Sequence, residues 1–158
     1  MPLNVPNTVS VPAIACGKLF QVAERVLPLL SPEIEVIHFI NSFEDAKTYI
    51  GDLLAGRGPG DCPPNHVGSH DYSKSVCCIF FGRAFTGEQV KEVHSMHHRK
   101  GVNGPVAWLA GDPAIVPPAN PGSAYAEKAA ENVKRALLGW VEAGADSEEI
   151  IWYQVHKR

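Results

Sequence analysis

The sequence predicts an α/β three-layer sandwich on a five-stranded, mostly parallel sheet, Rossmann-like or flavodoxin-like in architecture. Three observations lead there. Apolar strand-like runs alternate with amphipathic helical segments along the chain, and each connection is long enough for a helical crossover. One run, SVCCIFFG at residues 75–82, is apolar without interruption, as a strand buried on both faces must be. Two strand orders satisfy the pattern, 3-2-1-4-5 and 2-1-3-4-5, and both put the first strand beside the switch point where such sheets bind ligands.

The first strand is VPAIAC, residues 11–16, and Gly17 turns the chain. Residues 18–30 then place Leu19, Val22, Ala23, Val26 and Leu30 at helical spacing, and Pro32 closes the segment. IEVIHFI, 34–40, is the second strand. Ser42 caps the next helix with Asp45 three residues on, and Ala46, Ile50, Leu53 and Leu54 form its apolar stripe. Residues 56–74, GRGPGDCPPNHVGSHDYSK, carry four glycines and three prolines without periodicity and are expected to form one long loop. After the 75–82 strand, Thr86 with Gln89 makes a capping box for a helix reaching about Lys100. The fourth strand is PVAWLA, 105–110. A Pro-rich connection leads to the longest helix, 124–143, whose core stripe is Ala129, Val133, Leu137, Trp140 and Val141. EEIIWYQV, 148–155, completes the sheet. No internal repeat is present, and residues 1–158 are expected to form one domain.

Composition excludes several classes of partner. Lys and Arg number 14 against 17 Asp and Glu and are scattered, so no basic face suits a phosphate backbone and no nucleic acid is expected. No apolar run approaches the ~20 residues of a membrane span, and the N-terminus lacks the pattern of a secretion signal, so no membrane partner and a cytoplasmic location are expected. Cys16, Cys77 and Cys78 lie in apolar runs and Cys62 in the long loop, which reads as four reduced thiols. An aromatic last strand and Trp140 on the long helix leave apolar area that a homodimer is expected to cover.

The order of segments resembles a group of small Rossmann-like proteins of filamentous fungi, mostly of unassigned function. The likeness covers nearly the whole chain. It rests on the glycine turn after the first strand, on "FFGRAFTGEQ", on "VAWLAGDP" and on "IIWYQV". The resemblance implies a fold more than an activity, with fungal secondary metabolism as its setting. Where dinucleotide-binding relatives have G-x-G-x-x-G, this chain has Gly17-Lys18-Leu19-Phe20-Gln21-Val22, with side chains in place of the second and third glycines. No cofactor is therefore expected.

Ligands of open parallel sheets bind beyond the carboxyl ends of the strands, where helix N-termini meet. Lys18 and Arg83 each follow a glycine at such an end. Gly17, Lys18, Ser42, Gly82 and Arg83 are thus candidate binding groups for an anionic or carbonyl-bearing small molecule. Asp112, after the fourth strand, is the best-placed candidate base, and His38, Tyr153 and His156 are alternative acids or bases. His38 reads first as a satisfied core histidine. His94, His97 and His98 share one helix face at metal-ligand spacing. They fall in the last turns of the helix, at the edge opposite the pocket, so no metal is expected there. His66, His70, Asp71 and Tyr72 reach the pocket only if the long loop wraps around the sheet.

These residues favour a small cofactor-independent enzyme of the isomerase, cyclase or lyase kind, in which Lys18 and Arg83 stabilise charge developing on an oxygen. Two other classes compete: an NAD(P)-linked oxidoreductase, opposed by Leu19, Val22 and Asn41, and a non-catalytic partner-binding domain.

Overall fold

The computed structural model describes residues 10–60, 62, 66–102, 104–112 and 123–153. Strands and helices alternate as β1 (Val11–Cys16), α1 (Phe20–Leu30), β2 (Ile34–Ile40), α2 (Phe43–Leu54), β3 (Cys78–Phe81), α3 (Gly87–His97), β4 (Ala107–Gly111), α4 (Ser123–Glu142) and β5 (Ile150–Tyr153). The five strands pair in the order β2-β1-β3-β4-β5, and every neighbouring pair is parallel. The structure thus selects the flavodoxin-like member of the two orders, with the switch point between β1 and β3. Among the described residues no helix is long and apolar enough to cross a membrane.

Strand side chains alternate between two cores. Ala13, Ala15, Cys78, Phe80, Ala107 and Leu109 face α1 and α4, whereas Ile14, Cys16, Ile79, Phe81, Trp108 and Ala110 face α2 and α3. Burial on both faces explains why the central runs read as unbroken apolar sequence. The helix signals act locally: Ser42 Oγ accepts from Asp45 N, and Thr86 and Gln89 form the reciprocal box. Two stripe positions differ from expectation. Leu19 opens α1 as an exposed cap residue, and Val141 is exposed on α4. Trp140 is buried, with its indole N–H donating to Ser147 O at 2.6 Å, so the apolar area expected from it is not on the surface.

A register shift between Ala13 and Ile14 pairs Ala13 with Val36 but Ile14 with His38, leaving Ile37 as an extra residue in β2. Beyond such a bulge the side-chain alternation resets. Val36 packs into the α1/α4 core, while Ile40 joins the α2/α3 core, and His38 follows Ile40.

Helix α3 stops at His97 rather than near Lys100. The cause lies far away in sequence. Buried Glu148, just before β5, accepts from Arg99 N at 2.7 Å, Val106 N at 2.8 Å and Trp108 Nε1 at 3.1 Å. Arg99 takes a left-handed φ of 65° there, and the backbone bonds to the carboxylate in place of another helical turn. The neighbouring histidines are used structurally. His94 Nε2 donates to Glu148 O at 2.5 Å, His98 Nδ1 to His94 O at 2.9 Å, and His97 Nε2 to Lys47 O at 2.9 Å.

Residues 68–70 of the expected long loop run along the edge of β2. Ser69 N and His70 N donate to Val36 O and Ile37 O, each at 2.9 Å. This path requires Gly68: its φ is +97°, and a Cβ would stand 3.2 Å from the carbonyl carbon and oxygen of Ile37. Gly68→Ala should therefore lower stability by about 1–3 kcal/mol in thermal unfolding. Gly56→Ala, at φ +81° with nothing within 4 Å of the added carbon, should cost less, since it carries the conformational strain alone.

Burial holds the His38 and His97 imidazoles below the usual histidine value of 6.5. The folded protein then binds fewer protons than the unfolded chain, so their contribution to stability is complete above pH ~6.5 and falls as the pH drops below it. His97→Gln, which retains a donor for Lys47 O, should flatten the acid limb of a plot of melting temperature against pH; an unchanged limb would refute the assignment.

Candidate active site

Beyond the carboxyl ends of β1 and β3 a cavity of about 120 Å³ opens between α1 and α4. Its walls are apolar, from Ala15, Val22, Val26, Phe39, Phe80 and Val133, and its polar side chains are Lys18, Arg83, Tyr125 and Tyr153. Topology explains the meeting: in a parallel sheet every strand ends on one edge, and the switch point parts the connections there. Gly17 and Gly82 complete the rim, pinned by Gly17 N to Ile40 O at 3.0 Å and Gly82 N to Cys16 O at 2.8 Å.

Arg83 lies in the single turn between β3 and α3, closed by Phe85 N to Gly82 O at 3.2 Å and anchored by buried Phe85. Its guanidinium crosses the end of β4. Nε donates to Asp112 O at 3.0 Å and Nη2 to Tyr153 O at 3.1 Å, while Tyr153 reaches back with its hydroxyl donating to Phe81 O at 3.1 Å. Gly111 makes this crossing possible, because a Cβ there would stand 2.8 Å from Arg83 Cγ and 3.2 Å from Nη1. Among the described residues Nη1 itself is buried without a hydrogen-bond partner. A buried donor left over in this way is free to take up a further acceptor.

The surroundings favour an anion or a polarised oxygen. Leu19 gives α1 no side-chain cap, and its first turn carries no acidic residue, so the positive end of the helix is uncompensated by side chains at the cavity mouth. Lys18 adds a cation at the rim, its Nζ 5.3 Å from the Phe85 ring centroid. Tyr125, in the first turn of α4, is half-buried. Burial raises its hydroxyl above the usual phenol range, and the Arg83 charge pulls it back.

The remaining candidates separate. Asp112 offers Arg83 its backbone carbonyl and is absent from the cavity lining, because Asp112 N is drawn to Tyr153 O at 2.6 Å. Tyr153 lines the cavity, but its proton is committed to Phe81 O, and burial drives its hydroxyl strongly upward. Ser42 Oγ is occupied in capping α2. The β2 bulge turns His38 to the α2/α3 face, where Nδ1 meets Tyr72 Oη at 2.7 Å. His66 reaches Glu24 of α1, and His70 and Tyr72 stay at the β2 edge rather than in the cavity. His156 lies outside the described residues. Sequence reading missed Tyr125, although Tyr125, Ala129 and Val133 recur at four-residue spacing and all line the cavity. It also missed Gly111, whose role depends on a side chain far away in sequence.

A chemically informative variant pair follows. Gly111→Ala should displace Arg83 and cost about 1–3 kcal/mol of stability, as should Arg83→Met, since each removes the Arg83 donor from Asp112 O and one of two donors from Tyr153 O. The two act through one contact, so the double variant should be little less stable than the worse single one; additive losses in denaturant unfolding would disprove the link.

The chain is similar to a protein named "Kojic acid related protein 6" of Aspergillus oryzae, with 32% identity over 142 residues that cover 89% of this chain and 84% of that protein. No protein-family model matches the chain, and no solved structure matches it.

Proposed function

This chain belongs to the family of Kojic acid related protein 6, and on that premise we propose that its cavity binds a small oxygen-bearing molecule with an apolar body and performs proton-transfer chemistry on it without a nucleotide. One observation carries the reading: Arg83, whose Nη1 is buried and unpartnered among the described residues, lines a slot whose walls are otherwise largely apolar. The relative's name ties that protein to kojic acid, a small hydroxypyranone. A ring carbonyl with an adjacent enolic oxygen is the kind of group such a slot addresses.

In this mechanism the apolar walls hold the ligand's carbon frame and exclude water. Arg83 Nη1 donates to the carbonyl or enolate oxygen. The guanidinium needs no reorganisation, because Asp112 O and Tyr153 O already fix its other donors. Charge that grows on the oxygen in the transition state is stabilised more than the ground-state carbonyl, which is the requirement for catalysis rather than binding alone. Tyr125 acts first as an acid, where the sequence suggested Asp112 as a base. Its phenol gives a proton to the bound oxygen, the Arg83 charge stabilises the resulting phenolate, and the phenolate then takes a proton from the adjacent carbon, which restores the phenol and leaves the enol. Isomerisation, cyclisation and elimination all fit this pairing.

Titration calorimetry with kojic acid, benzoate and NADPH tests the reading. Kojic acid or benzoate should bind, and Arg83→Met should weaken the binding tenfold or more, about 1.4 kcal/mol. Tyr125→Phe should leave affinity within about threefold while removing most turnover of any substrate found, because general acid catalysis contributes ~10²–10⁴. Micromolar NADPH binding would favour an oxidoreductase instead. Binding of none of the three would leave the partner-binding reading.

A further inference from the structure

The face of the sheet away from the cavity carries a second group of reactive side chains. Gly68 and His70, at φ +97° and +62°, turn the long loop along the edge of β2. Cys62 and Tyr72 thereby come to opposite sides of the His38 ring, with Cys62 Sγ 3.4 Å from Nε2 and Tyr72 Oη 2.7 Å from Nδ1. This is the arrangement of an assisted nucleophile: a thiol, a base within reach of it, and a third group orienting the base. From this juxtaposition we infer that Cys62 is a covalent site for small soft carbon electrophiles of the α,β-unsaturated carbonyl class, with His38 as its base and Tyr72 as the group that positions the base.

The proton inventory supports it. With Nδ1–H donating to Tyr72 Oη, Nε2 is left as an acceptor facing the thiol. Burial keeps the imidazole neutral and pushes the thiol up to about 11, so the proton rests on sulfur and moves only during attack. The charged and titratable groups facing the pair are Asp45 from α2 and His70 and Tyr72 from the loop. Cys16, on β1, also feels the Cys62 sulfur. The other thiols lack such a base: Cys16 and Cys78 are fully buried in strands, and Cys77 meets the Ser75 carbonyl.

Conjugate addition suits these groups. As the S–C bond forms at the β-carbon, the thiol proton passes to His38 Nε2 and the alkene electron pair moves toward the carbonyl as an enolate. The imidazolium then returns the proton to the α-carbon, so nothing leaves and no oxidant is required. Acyl transfer would further need donors for an oxyanion, and the amide of Cys62 already donates to Pro59 O at 2.9 Å.

The test is acrylamide labelling of the full native chain between pH 5 and 9, with each cysteine followed by peptide mass spectrometry. Cys62 should react first. Its rate should rise to a plateau once His38 is neutral, whereas an unassisted thiol of raised pKa gains tenfold per pH unit across the whole range. His38→Gln should slow labelling at pH 7 at least tenfold and restore the tenfold-per-unit slope. Tyr72→Phe should slow it about threefold or more while keeping the plateau, and Cys62→Ser should remove the first adduct. Should His38→Gln not fold by circular dichroism, the wild-type profile and Tyr72→Phe still decide. No Cys62 adduct in the folded chain, a uniform tenfold slope in the wild type, or a folded His38→Gln chain with an unchanged profile would each overturn the inference.

Discussion

The ends of β3, β4 and β5 are tied together by two side chains that run in opposite directions, one of them over Gly111. Arg83 runs outward from the end of β3 to carbonyls of Asp112 and Tyr153, and the Tyr153 hydroxyl runs back to Phe81 O. A parallel sheet leaves its last carbonyls pointing beyond the edge with no strand to receive them, and an unsatisfied buried carbonyl costs about as much as a lost hydrogen bond. The guanidinium, with five donors in one plane, donates to two of these carbonyls and leaves Nη1 unpartnered among the described residues. β5, the outermost strand, is docked by this crossing as well as by its ladder to β4.

The switch point and the β2 bulge then divide the chemistry between two faces. The α1/α4 side receives the cations and Tyr125 around an apolar slot. The α2/α3 side receives the imidazole, thiol and phenol group. One inserted residue in β2 decides this division, because His38 pairs with Ile14 where a regular ladder would have paired Ile37. A regular strand would have kept His38 in step with Val36, which faces α1.

At the amino ends of β4 and β5 the fold accepts a buried carboxylate. Glu148 is tolerable there because its two oxygens receive three donors, one from the indole of the fully buried Trp108. Removing water from a carboxylate is expensive unless such bonds replace it. The HSMHH segment is drawn into the same arrangement: His94 holds the Glu148 carbonyl and packs edge-on against Trp108 at 5.0 Å. The histidines that share metal-ligand spacing in sequence make backbone contacts and packing here.

Periodicity, caps and turn residues act over a few positions, and they were legible. β1 and β2 begin and end where the apolar runs do, and Ser42, Thr86 and Gln89 cap their helices as read. Even the meeting of Gly17, Lys18, Gly82, Arg83 and Tyr153 was readable, since every strand of a parallel sheet ends on the same edge. What was not legible depends on partners distant in sequence. The end of α3 depends on Glu148, the use of Arg83 on the absence of a side chain at Gly111, and the face taken by His38 on a bulge that no local pattern marks. Asp112 is the clearest case: its position at a strand end followed from sequence, but the contacts of its carbonyl with Arg83 and of its amide with Tyr153 arise only after the sheet has formed.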